Sequence, residues 1–102
     1  MAQNPPVLML LSVDKVREDA FVAHVRYGSL PVHTSGSFHG SLAEAICSTA
    51  SGIPSPYAGF VEVRYAGVCG GTYSVQQLGE PTAASQVADH LIEVVSALRT
   101  RQ

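Results

Sequence analysis

The chain has 102 residues, a formal charge of −2, and 14% charged against 46% hydrophobic residues. That length fits one domain whose core needs neither metal nor disulfide, and a pI near 6.0 gives no bulk attraction for nucleic acid, whose binders carry a basic face or stripe. The two cysteines, Cys47 and Cys69, fit no zinc pattern or disulfide framework, Val7–Leu11 is too short for a signal-peptide core, and no window approaches a membrane span; the expectation is a cytoplasmic protein that does not engage membranes.

Residues 1–6 are polar and proline-containing and predict a frayed start. Val7–Val13 is apolar on both faces, with Val7, Met9 and Leu11 on one and Leu8 and Leu10 on the other, as in a strand buried on both sides or at an interface. Asp14–Ala20 concentrates charge and reads as a solvated connection. Phe21–Tyr27 alternates: Phe21, Ala23, Val25 and Tyr27 point to the core, and Val22, His24 and Arg26 point away. A turn at Gly28–Pro31 leads to a weaker strand, Val32–Phe38, with an expected bulge at Gly36.

Ser41-Leu42-Ala43-Glu44 is a capping box: the serine hydroxyl can accept a backbone N–H three residues on, and the glutamate can reach back. The helix it opens has Leu42, Ala45, Ile46 and Thr49 inward and stops before Gly52. Ile53–Gly59 is a connector between two similar halves. Phe60–Leu78 reads as a hairpin bent at Val68–Gly71, with Val61, Val63, Tyr65, Tyr73 and Val75 toward the core. Thr72, Ser74, Gln76 and Leu78 share the other face of its return strand. Pro81–Thr100 is helical, since proline suits a first turn and Ala84, Val87, Ala88, Leu91, Val94, Val95 and Leu98 form an apolar stripe.

Val25-Arg26-Tyr27 recurs as Val63-Arg64-Tyr65, each followed by a turn, a polar strand and a helix. The fold class expected is therefore α+β, a two-layer sandwich with a mostly antiparallel sheet of about five strands and two helices on one face, in the order β-ββα-ββα. The face away from the helices gathers His24, Arg26, His33, Glu62, Arg64, Ser74 and Gln76 as the candidate binding residues. A turn centred on Ser29 and Leu30 sets His33 across from Arg26 and Ser35 across from His24. No GxSxG elbow, paired metal-ligand spacing or phosphate loop occurs, so the reading names no catalytic residue, metal or cofactor.

Residues 7–50 combine a β-β-β-α order with Phe21-Val22-Ala23-His24-Val25 and Gly40-Ser41-Leu42-Ala43-Glu44-Ala45-Ile46. In this they resemble the N-terminal core of HicB-like antitoxins, where three strands lead into a helix opened by a Thr/Ser-Leu-x-Glu-Ala pattern. The resemblance covers less than half the chain, and Tyr27–Pro31 replaces the family's proline-rich turn. It implies a partner-binding module and not an enzyme. The final hairpin and helix resemble the end of a double-stranded-RNA-binding domain, but Glu80-Pro81-Thr82 stands where that family has lysines. The functional expectation is a non-enzymatic interaction module that binds itself or a protein partner through the open sheet face. Nucleic-acid binding through His24, Arg26, His33 and Arg64 is the alternative, and a small hydrolase is the third.

Overall fold

The computed structural model describes residues 7–34, 38–53 and 59–100. The expected frayed start, the bulge at Gly36, the placement of Ser35 and most of the Ile53–Gly59 connector lie outside these residues. The elements are β1 (Val7–Arg17), β2 (Ala20–Tyr27), β3 (Leu30–Thr34), α1 (Leu42–Ser51), β4 (Gly59–Tyr65), β5 (Val68–Ser74), a single turn α2 (Val75–Leu78) and α3 (Pro81–Thr100). The five strands form one sheet in the order β3-β2-β1-β4-β5. Only the β1–β4 pair is parallel, and the class is the expected α+β.

β1 lies in the middle of the sheet but is buried on one face only, for Leu8 on the other face is exposed. Met9, Leu11 and Val13 are buried toward the helices, with Ala23 and Val25 of β2 on one side and Val61 and Val63 of β4 on the other. α1 covers this face with Leu42, Ala45, Ile46, Thr49 and Ala50, and α3 with Ala84, Val87, Ala88, Leu91 and Val95. These stripes are the i, i+3, i+4 pattern of amphipathic helices seated on a sheet. The Ser41 hydroxyl accepts the Glu44 N–H at 3.1 Å, as its spacing predicts.

Several expectations are corrected. β1 continues to Arg17, so Asp14–Arg17 is strand and only Glu18 and Asp19 form the turn. Asp19 takes a left-handed φ of 60° there, which a short polar side chain tolerates. The β4–β5 turn is Ala66–Gly67, at φ 53° and 80°, the two-residue loop whose twist suits a hairpin. Val68–Gly71, expected as the bend, belongs to β5. Its two glycines oppose the single Val63 between the pairs Glu62–Thr72 and Arg64–Cys69, which makes a bulge. Val75, Gln76 and Leu78 leave the strand for α2, because the Ser74 hydroxyl accepts the Gln77 N–H at 3.0 Å and starts a helical turn. Leu78 is thereby carried into the core with no exposed surface. Tyr27 is exposed beside the Gly28–Ser29 turn, with the exposed Leu30 opposite it. Leu98 is also exposed, since Val95 is the last buried side chain of its stripe.

Candidate interaction face

Both long helices pack on one side, no described element covers the other side of the sheet, and the strand register orders its side chains into rows. The first row holds Leu8, Phe60 and Ser74. The second runs Arg26, Leu10, Glu62, Thr72, and the third Thr34, His24, Ser12, Arg64, Cys69. Val22 and Asp14 begin the fourth. The first row is apolar: Leu8 is 53% and Phe60 45% exposed. Leu10 extends that patch into the second row. Leu10, Ser12, Asp14, His24 and Arg26 line a depression of about 280 Å3.

The charges on this face are of both signs. His24 Nε2 lies 3.8 Å from Asp14 Oδ2, an ion pair when the ring is protonated, and His24 Nδ1 lies 3.5 Å from Thr34 Oγ1. Glu62 Oε1 accepts from Arg64 Nε and Nη2, each at 3.2 Å, and from Cys69 Sγ at 3.1 Å. The Cys69 thiol foremost, with the Arg64 guanidinium, holds the Glu62 carboxyl below its ordinary pKa. All three donors converge on one oxygen. Arg26 is exposed and has no ion pair among the described residues.

Four of the seven expected site residues, His24, Arg26, Glu62 and Arg64, meet on this face within two adjacent rows. Three do not join them as expected. His33 is turned to the helix side, where a Cβ on Gly52 would stand 2.6 Å from its Nε2. The reason is a bulge at Val32: β2 pairs Arg26 with Pro31 but Val25 with His33, so the side chains beyond the extra residue exchange faces. Thr34 takes the place across from His24. Ser74 ends the apolar row with its hydroxyl committed to α2, and Gln76 lies on α2 itself.

Sequence reasoning missed Leu10, Ser12, Asp14, Thr34 and Cys69 as members of this site, whereas Thr72 lies on the outer face of its strand as expected. The usable signal was the outer apolarity of Leu8 and Leu10, which marks β1 as a strand flanked on both sides. No three His, Cys, Asp or Glu side chains converge on a metal-sized site among the described residues. Comparison with known proteins finds no match to any family model, curated protein or solved structure.

Proposed function

We propose that the chain is a small interaction module, and not an enzyme, whose open sheet face docks another protein. The observation that carries this reading is Leu8, Leu10 and Phe60, adjacent across β1 and β4 on the face opposite the helices. Apolar side chains grouped on a sheet face that no described element covers, and rimmed by polar ones, are the composition of a docking surface. The likeness of residues 7–50 to HicB-like antitoxin cores supports the same reading. We place the module in a reducing compartment such as the cytoplasm, on the strength of Cys47 and Cys69 without a disulfide. No helix among the described residues is long and apolar enough to cross a membrane.

The nucleic-acid reading draws less support from this geometry. His33 faces the helices, Arg64 is occupied by Glu62, and Asp14 stands beside His24. Phosphate contacts need cations free of such neighbours.

The docking reading is tested by a benzophenone photo-crosslinker placed at Phe60 in expressing cells, with Gln86, exposed on α3, as the comparison site. Adducts form from position 60 and not from position 86, and Leu10→Asp abolishes them. No adduct from position 60 ends the reading.

A further inference from the structure

We infer that the occupant of the open face is a second copy of this chain, docked about a two-fold axis that runs along β1. The inference rests on the docking reading above and names its partner. It follows from where the charges sit relative to the central strand. Arg26 and Glu62 both pair with Leu10, one from β2 and the other from β4. They therefore lie in one row, one strand to either side of β1, with opposite signs.

Face-to-face sheets of two identical chains admit two kinds of two-fold axis in the plane between them. An axis across the strands lays β2 on the partner's β2 and β4 on its β4. Centred on the Leu10 row, it stacks Arg26 on Arg26 and Glu62 on Glu62; centred between the second and third rows, it stacks Arg26 on His24 and Leu8 on Asp14, and it offers Glu62 only an Arg64 that is already paired within its own chain. An axis along β1 lays β2 on the partner's β4 and keeps each row on its own row. Arg26 then faces Glu62 twice over, Leu10 meets Leu10, and Leu8 meets Leu8; at the far end Asp14 meets Asp14, each beside the His24 of its own chain. Such a contact is self-complementary, as a two-fold interface is.

The local chemistry agrees. The three intramolecular donors to Glu62 converge on Oε1, so Oε2 has no partner among the described residues and can take an incoming guanidinium. Arg26 has no competing carboxylate among the described residues. The third row sets His24 over Arg64, each already beside a carboxylate of its own chain, Asp14 and Glu62. Packed sheets lie within ~30° of parallel, and Arg26, Leu10 and Glu62 stay in register under that rotation because they flank the axis. Five strands at ~4.8 Å spacing over about six residues give a face of roughly 25 × 20 Å, and two such faces bury about 1,000 Å2, the low end for a specific association. The contact is accordingly a reversible, concentration-dependent dimer.

Charge reversal tests the arrangement by equilibrium sedimentation. Arg26→Glu alone sets Glu against Glu62 in its own dimer, and Glu62→Arg alone sets Arg against Arg26. Each single variant self-associates at least ~10-fold more weakly than the parent chain. An equimolar mixture of the two restores both contacts in the heterodimer and associates to within about threefold of the parent. Glu62→Gln, which keeps an acceptor for Arg64 and Cys69, weakens association by less and controls for local disturbance; thermal melts of each variant control for folding. A mixture that associates no better than its components overturns the inference, as does a parent chain that stays monomeric at millimolar concentration. Neither result touches the crosslink from position 60, so the docking reading stands or falls separately.

Discussion

Among the described residues Thr49 is the one buried polar side chain of the core, 1% exposed, and its Oγ1 has no hydrogen-bond partner there. A buried hydroxyl left unpaired costs stability, whereas an apolar side chain of the same shape does not. Thr49→Val is therefore expected to stabilise the chain by about 1 kcal/mol, read as a higher urea midpoint at unchanged slope. Glu62 offers a second test at a single side chain. Its carboxyl is held below the ordinary range first by the Cys69 thiol and then by Arg64. A lowered folded-state pKa means a contribution that is present above the unfolded pKa and lost as pH falls through the folded one. Cys69→Ala removes the leading cause, so the Glu62 titration followed by NMR moves up toward the usual carboxylate value, and the small acid-side loss of stability begins at higher pH. An unmoved titration would assign the shift to Arg64 alone. The sequence marks Glu62 as a polar position of the outer face and Thr49 as an inward position of a helix, but not the thiol contact of the one or the unpaired hydroxyl of the other.

The seat of α3 on β5 depends on Gly70. A Cβ added there would stand 2.9 Å from both Cγ and Cδ2 of Leu91, a fully buried residue. Gly70→Ala thus overpacks the core and is expected to cost about 1–3 kcal/mol, visible as a lower thermal midpoint. Val68–Gly71 reads as a bend in the sequence because glycine pairs mark turns. In the fold one glycine makes room for a helix, and Gly71, at φ 110°, turns the bulge while the Tyr73 hydroxyl donates to the Gly70 carbonyl at 2.8 Å. Glycine serves close approach as well as turning, and only the position of Leu91 separates the two uses. The helices were more legible. The Ser41 cap, the inward residues of α1 and the proline start of α3 follow from local rules that hold inside any fold.

In the whole molecule the deciding fact is that β1 sits in the middle of the sheet, parallel to β4. The two halves suggested by Val25–Tyr27 and Val63–Tyr65 are real as hairpins, β2–β3 and β4–β5, and β1 joins them. This placement brings Arg26 and Glu62 to the two sides of Leu10, and it sets Leu8 against Phe60. It also gives the crosslinking and charge-reversal predictions their geometry, because both depend on which strands flank β1.

Local patterns in the chain were enough for the α+β class, the helical stripes, the helix cap and the alternation that puts His24, Arg26, Glu62 and Arg64 on one face. Each is set by neighbours within a few residues, through side-chain periodicity or a local hydrogen bond. Tertiary structure alone decided the strand order, the bulges at Val32 and Gly70–Gly71, the loss of His33 from the open face and the burial of Leu78. Those features depend on contacts between segments far apart in the chain, and a single extra residue in a strand reverses every side chain beyond it.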